Sequence, residues 1–493
     1  MAASPTVIDL FAGGGGTSTG TVQSFQSRGH EKITLTALNH DRYAIETHRI
    51  NYPWATHYQQ DIKKVNPTEV ADPYELDLLV AAPSCQGFSV ARGGKVMSKK
   101  TRESREQAQS VAFWMHKLKP RAVLVENVSE FQKWGAIDSN DNPIKEKKGL
   151  MFKAWLQGIA KLGYAFEYRI LNAADYGDPT TRRRFFMIAI RQDITDFSES
   201  IPHISWPIPS HSKSGSPTTA KWRSAREVLR LDIHGESIFN PSPNTASGRR
   251  MIDTMNKTGL PLSIRTMERI YAGLVKFSSP EIQPFILSQA SGGSPRNIDD
   301  PVMTIPTAGK HALIEPYILP KEGYFRGNLA KSIKEPLGTI LAGREYGHLI
   351  EPFIVKYYKS GGNIQETNIP LPTLTTKDRI GFCEPFLLPY HGERKGQDLR
   401  IRSINEPMPT VTTVHNLSLI QPSIKINGST YMIDIRYRML LPEELAAAMS
   451  FPKSYRFAGP KGEVTKQIGN AVAVSIARSL IGSIIDSLKI GGI

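Results

Sequence analysis

A cysteine set in a polar loop directly after an apolar run is the first residue able to do covalent chemistry. Cys85 lies in Ala81-Ala82-Pro83-Ser84-Cys85-Gln86-Gly87-Phe88-Ser89. Free cysteine is commonly an inert small hydrophobe in a core. Here its Pro, Ser, Gln and Gly neighbours describe a loop, at the carboxyl edge where open α/β sheets place their reactions. Arg92, Lys95, Lys99, Lys100, Arg102 and Arg105 follow, opposed by the single acid Glu103. Cationic surroundings favour a thiolate. The same charges suit a loop that closes on a phosphate backbone, with Ser89 and Arg105 as candidate contacts, although a solvated face explains any one of them. A second group is Glu126, entered from the apolar run Ala122-Val123-Leu124-Val125. Desolvation at the mouth of a sheet raises a carboxyl pKa and makes it a proton donor; capping a helix or binding an arginine is the plainer role. Arg182 and Arg184, alternate residues of an extended segment, point to one side. They have a base oxygen, a phosphate or Glu126 as possible partners.

A glycine-rich turn supplies a different chemistry. In Asp9-Leu10-Phe11-Ala12-Gly13-Gly14-Gly15-Gly16, a strand ends in glycines before a helix, which lets backbone approach a nucleotide-like ligand closely. Such turns serve many cofactors and sometimes only packing. A dinucleotide would set its pyrophosphate on the helix N-terminus, whereas Phe11 offers an aromatic face to an adenine ring. Ala12, Gly13 and Gly15 are the candidate backbone contacts. Asn39-His40, ending the second strand, stands where a ribose partner sits. Asp61-Ile62, ending the third, offers a carboxylate to an adenine amino group.

The elements that must hold these residues read as alternating strands and helices. Thr6–Leu10 precedes the glycine turn, Ile33–Leu38 precedes Tyr43–Asn51, and Asp77–Ala82 precedes the cysteine loop. Glu106–Leu118 leads into Ala122–Val125, and Phe152–Leu162 leads towards Phe185–Ile190. Apolar strands separated by helices predict a doubly wound, mostly parallel sheet covered on both faces. The chain has 493 residues, long enough for two to four domains. Its 61 Lys and Arg against 46 Asp and Glu leave a net charge of +15, which points to a polyanionic partner, most often nucleic acid. A hydrophobic share of 40% excludes a fully disordered or collagen-like chain. Two cysteines, Cys85 and Cys383, make neither a disulfide framework nor a four-cysteine zinc site, so a reducing compartment and no metal are expected. Met1–Gly16 lacks the basic-then-apolar order of a signal peptide, and Ala471–Leu488 is interrupted by Arg478 and Asp486. A soluble intracellular protein is the expectation.

After Arg191 the composition changes. Pro202–Thr219, rich in Pro, Ser and His, reads as a linker or domain edge, and Ser263–Phe277 as helical. From Gln283 a repeat with a period of 34 to 37 residues carries Pro-x-x-Thr at Pro301/Thr304, Pro336/Thr339, Pro370/Thr373 and Pro407/Thr410. Strand-type residues bounded by Pro and Gly predict tandem β-hairpin-like units over 281–430. Basic residues lie between the units, among them Arg394, Arg400 and Arg402, candidate DNA contacts. Leu441–Ile493 reads as helical again.

Together these pieces resemble the DNA cytosine-C5 methyltransferases. The order is the Phe-containing glycine loop, Pro83-x-Cys85-Gln86, Glu126-Asn127-Val128 and Arg182-x-Arg184. Arg438-x-Leu440 with Glu444 and Gln467-x-Gly469-Asn470-Ala471-Val472 complete it. The resemblance covers 6–191 and about 436–488 and is highly specific. It implies a Rossmann-like S-adenosylmethionine-dependent fold split between 1–206 and 436–493, with a target-recognition region over 207–435. Asn470, Ala471 and Val472 would complete the cofactor pocket. The implied activity is that of a DNA (cytosine-5-)-methyltransferase, with S-adenosylhomocysteine as by-product and no metal. Cys85 would add to C6 of a cytosine flipped out of duplex DNA, Glu126 would serve N3, Arg184 the ring oxygen and Arg182 the loop around Cys85. A monomer in the cytoplasm, nucleoid-associated if prokaryotic and tied to restriction–modification, is expected. The chain departs from the family pattern at Ser84, where a second proline is usual, at Asn39 for Glu and at Thr180 for Gln. An RNA cytosine-C5 methyltransferase with the same motifs, and a silent DNA-binding protein on this scaffold, remain the alternatives.

Overall fold

Apolar runs emerge as strands of one sheet, and the segments between them as helices. The structure, a computed structural model, describes residues 4–83, 99–138, 143–194, 204–263 except 231, 234 and 259, 298–302 and 438–490; for 99–106 and for strands between 285 and 437 it describes backbone only. Two compact units form: Met1–Arg230, Ile298–Lys310 and Leu440–Ile493 make the first, Leu231–Asn297 and His311–Met439 the second.

The first unit is built on β1 (Thr6–Leu10), β2 (Thr34–Leu38), β3 (Thr56–Tyr58), β4 (Leu78–Ala81), β5 (Ala122–Asn127), β6 (Tyr164–Asn172) and β7 (Arg183–Arg191), in the order β3-β2-β1-β4-β5-β7-β6. β1 to β5 are parallel, and β7 runs antiparallel to both β5 and β6. This is the expected doubly wound sheet. β4 and β5 are buried along their whole length, as strands covered on both faces must be. On one face Leu10, Leu79, Val123 and Phe185 pack with Trp114 of α3 (Lys99–Leu118) and Ile159 of α4 (Leu150–Lys161). Residues of opposite parity, such as Asp9, face α1 (Gly16–Gln26), which lies against the C-terminal helix α8 (Val474–Leu488). That contact is close because Gly20 has no side chain: a Cβ there would sit 2.7 Å from Ala477 Cβ.

Differences from the sequence reading have local causes. β6 was not foreseen: as an edge strand it exposes Glu167, Tyr168 and Arg169, so its apolar signal is diluted. The stretch expected as a linker is packed instead, with Ile204 and Trp206 buried and Trp206 Nε1 donating to Glu167 Oε2 at 2.8 Å. Lys461–Leu488 is long and apolar enough to cross a membrane, but its apolar 18-residue stretch is 72% buried and the helix breaks before Val474. Its second half begins under Asp178, which accepts from Ser475 N and Ile476 N, both at 3.0 Å.

The second unit is β-rich in its described part. His311–Leu319 pairs antiparallel with Ser429–Met439, extended by Phe285–Ser288 and Ser423–Ile426. Phe353–Lys356 pairs with Ile364–Glu366 and Ile380–Phe382, and Leu387–Pro389 with Leu417–Leu419. The units part at 230/231 and 439/440, where boundaries at 206/207 and 435/436 were expected, and 298–310 joins the first unit. The helix expected from Ser263 to Phe277 falls, beyond Ser263, outside the described residues.

Candidate active site

One edge of the sheet collects the chemistry. The carboxyl ends of β1, β2, β3, β4 and β5 lie together because these strands are parallel, and β7, reversed, brings its first residues to the same edge. Strand order reverses between β1 and β4, the crevice where open sheets bind ligands. β1 feeds the glycine turn and β4 feeds Pro83.

Glu126 is 8% exposed, and Arg184 Nε lies 3.3 Å from its Oε1. Burial pushes its carboxyl above the usual carboxylate range, while Arg184 and then Arg182 pull it back. Asn127 Nδ2 donates to Pro83 O at 3.0 Å, tying the end of β5 to the residue two before Cys85. Arg182, expected to support the cysteine loop, is 3% exposed and donates from Nη1 to Gly469 O at 3.1 Å. It therefore anchors the start of β7 to α7 (Lys461–Asn470). Cys85 and Ser89 lie outside the described residues, as do Arg394, Arg400 and Arg402, and of Arg105 only the helical backbone is described.

The glycine turn has the geometry of a ligand loop. Phe11 adopts φ +62, a left-handed conformation costly for a residue with a Cβ, and its half-buried ring packs on the core. Ala12 N donates to Leu38 O at 3.1 Å. Gly13 faces open space, since a Cβ there would meet nothing nearer than Phe11 O at 3.9 Å. Gly15, at φ +80, precedes α1. Ala471 and Val472, each 4% exposed, pack on Gly16, where a Cβ would run into the Val472 carbonyl. Asn470 is exposed beside them.

The ribose and adenine candidates are engaged locally. Asn39 Nδ2 donates to Ala12 O at 3.2 Å and its Oδ1 accepts from Asp41 N at 2.9 Å, so the amide braces the glycine turn. His40 is exposed. Asp61 accepts from Lys63 N at 3.0 Å, capping a short 3-10 turn, and Ile62 is core.

A polar network beneath the turn was not foreseen. Ser18 Oγ donates to Asp9 Oδ2 at 2.5 Å, His48 Nε2 meets Ser18 Oγ at 2.9 Å, and His48 Nδ1 meets His57 Nε2 at 2.8 Å. Burial pushes Asp9 up to about 7 and His48 down to about 3, His57 adding to the latter. Tyr455 Oη donates to Gly14 O at 2.9 Å. The only sequence signal was an acid in an apolar strand followed by the Ser- and Thr-rich start of α1. From the later motif, buried Glu444 accepts from Arg230 N and Leu441 N, both at 2.7 Å, and Gln467 bonds Thr47 and Ala458.

Compared with known proteins, residues 5–258 and 349–486 match the family model for C-5 cytosine-specific DNA methylases. Type II methyltransferase M.HhaI of Haemophilus parahaemolyticus is 32% identical over 192 residues, 38% of this chain and 49% of that protein. Type II methyltransferase M.Sau3AI of Staphylococcus aureus is 29% identical over 199 residues, 38% of this chain and 44% of that protein. The chain thus spans under half the length of these curated relatives. The crystal structure of S. pombe Dnmt2 methyltransferase aligns over 98% of this chain and 99% of that one, with 12% identity and a TM-score of 0.45.

Proposed function

The chain belongs to the C-5 cytosine-specific DNA methylase family, and from that premise we propose that it methylates C5 of a flipped cytosine within a specific duplex DNA sequence. Cys85 is the nucleophile and S-adenosylmethionine the methyl donor in this reading. The observation that carries it is the buried Glu126, paired with Arg184 at 3.3 Å on the edge that also holds Pro83.

C5 of cytosine is a poor nucleophile until C6 has been attacked. The Cys85 thiolate forms a bond to C6, and the displaced electron pair moves towards N3. Glu126, held protonated more readily by burial, gives its proton to N3. Arg184 holds the ring oxygen. S-adenosylmethionine, when bound, supplies the electrophilic methyl that C5 takes up and leaves as S-adenosylhomocysteine. Loss of the C5 proton to a water molecule, with its electron pair forming the C5–C6 double bond, expels Cys85 as thiolate, and return of the N3 proton to Glu126 restores the enzyme. A base stacked in a duplex cannot reach such an edge, so the cytosine must be flipped.

The glycine turn fits the cofactor. Phe11 supplies an aromatic face, Gly13 lies open, and Ala12 and Gly15 offer backbone. Asn39, His40, Asp61 and Asn470 line its rim in this reading, while the buried Ile62, Ala471 and Val472 close it by packing. Two of its named relatives are Type II methyltransferases. The reading extends that setting to this chain, as a cytoplasmic monomer acting on DNA in restriction–modification.

DNA carrying 5-fluorocytosine tests the nucleophile, because β-elimination stalls without a C5 proton. The wild type is expected to form a covalent adduct with it and Cys85→Ala none; equal adducts would remove Cys85 from its role. Transfer of a tritiated methyl group to RNA but not to DNA would overturn the substrate assignment.

A further inference from the structure

We propose that Tyr455 is a positioning residue for the cofactor: by holding the Gly14 carbonyl it turns the Gly15 N–H towards the bound ligand. The inference rests on the reading that the turn from Leu10 to Gly16 binds S-adenosylmethionine.

Tyr455 comes from the segment before α7, remote in sequence from the turn it touches. Aromatic packing brings it there: its ring centroid lies 4.8 Å from Phe451, 5.1 Å from Phe457 and 6.3 Å from Tyr52. Its Oη donates to Gly14 O at 2.9 Å. Burial holds the phenol well above its ordinary value, so the group stays a donor across the neutral range.

The consequence follows from peptide geometry. A trans peptide is planar, with its C=O and N–H pointing in opposite directions, and no described peptide bond is cis. Fixing the Gly14 carbonyl on the Tyr455 side therefore fixes the Gly15 N–H on the other side. The next peptide is pinned in the same way. Gly15 O accepts from Thr19 N at 2.8 Å and from Thr19 Oγ1 at 2.7 Å. Thr19 Oγ1 lies 2.7 Å from Tyr52 Oη, which donates to it since the threonine proton is already committed. Two successive carbonyls are thus held inward at the start of α1, where the first N–H groups have no helical partner and suit an acceptor oxygen of a ligand.

Gly15 itself bears on the assignment. It sits at φ +80, and a Cβ there would run into the Tyr455 hydroxyl. Tyr455 thus fills, with a polar atom, the space that a side chain at 15 would need. Pure packing does not require that atom, because phenylalanine presents the same ring to Phe451, Phe457 and Tyr52.

The test uses the full chain. Tyr455→Phe is expected to raise the Kd for S-adenosylmethionine by calorimetry, and its KM, about three- to tenfold, as loss of one buried hydrogen bond does. At saturating cofactor kcat is retained, and the KM for DNA does not move. Gly15→Ala is expected to weaken cofactor binding more severely, and Tyr455→Phe in the same chain to restore part of the loss by removing the colliding hydroxyl. An unchanged Kd in Tyr455→Phe, with only a lowered melting temperature, would reduce Tyr455 to a structural role and overturn the inference. So would a double variant that binds no better than Gly15→Ala. If the wild type itself binds no S-adenosylmethionine, the cofactor reading fails, and this inference with it.

Discussion

Beneath the glycine turn two buried groups titrate in opposite senses, and their pH signatures cancel. Asp9 is raised from 3.8 to about 7, so the native state keeps a proton that the unfolded chain has lost. Its contribution to stability therefore falls as pH climbs from about 4 to about 7. His48 is lowered from 6.5 to about 3, so the native state lacks a proton that the unfolded chain holds. Its contribution rises as pH climbs from about 3 to 6.5. Each amounts to roughly 4 kcal/mol across its window. Neither shift is caused by the other group: Asp9 responds to burial and Ser18, His48 to burial and His57. Tyr52 and Tyr455 face Asp9, and burial holds both phenols above their ordinary value, while burial and then the Arg49 charge lower His57. Relative to the wild type, urea midpoints between about pH 4 and pH 7 should accordingly slope upward with pH in Asp9→Asn and downward in His48→Gln. Two variants that keep the wild type's own dependence on pH would refute the opposed titrations. At this scale the sequence is legible where chemistry is local in the chain: Glu126 at the end of an apolar run and the alternate arginines were readable. The network was not, because Asp9, Ser18, His48 and His57 meet only after β1, α1, α2 (Arg42–Asn51) and β3 have packed.

Helices and strands show the same division between local and tertiary information. Apolar runs were enough to place β1, β4 and β5, and burial on both faces leaves β4 and β5 no polar residues until the chemistry begins. The half-exposed β6 gave no such signal, nor did Trp206, whose Pro-rich surroundings conceal an anchor on Glu167. Helical glycines make the point quantitatively. Helix propensity favours alanine over glycine by about 1 kcal/mol. Gly158 in α4 has nothing within 4 Å of the place its Cβ would occupy, so Gly158→Ala is expected to stabilise by roughly 0.5–1 kcal/mol. Gly20 in α1 would put its Cβ 2.7 Å from both Ala477 Cβ and Arg478 N. Gly20→Ala is therefore expected to cost roughly 1–3 kcal/mol despite the better propensity, because α8 must move away. Thermal denaturation of the two variants decides it: shifts of the same sign would mean that α1 and α8 do not meet as closely as described.

At the scale of the whole molecule, the first compact unit is built from both ends of the chain, and most of the segment that interrupts it belongs to another compact unit. A net charge of +15 suits a polyanion anywhere on the surface, so charge alone does not locate sequence recognition. The proposed reading does: a sheet edge that held a cytosine the same way whatever its neighbours would leave discrimination between DNA sequences to residues outside it. The repeats over 281–430 are the proposed source. Stacked β units that share a core would carry their connecting loops at regular intervals, and a purely structural array would do the same without touching a base. Arg394, Arg400 and Arg402 discriminate between the two. An arginine on phosphate lowers affinity for all sequences alike and reduces the salt slope by about one unit when removed. An arginine on a guanine edge costs roughly 1–3 kcal/mol at one position of the site. Substituting these arginines is expected to alter DNA affinity or target preference while leaving the Kd for S-adenosylmethionine unchanged. Exchanging 281–430 for the corresponding region of a relative should transfer the relative's methylation site, read by bisulfite sequencing of the modified DNA. A chimera that folds and still methylates the original site would leave the repeats as scaffold, and would place recognition on the loops of the first unit.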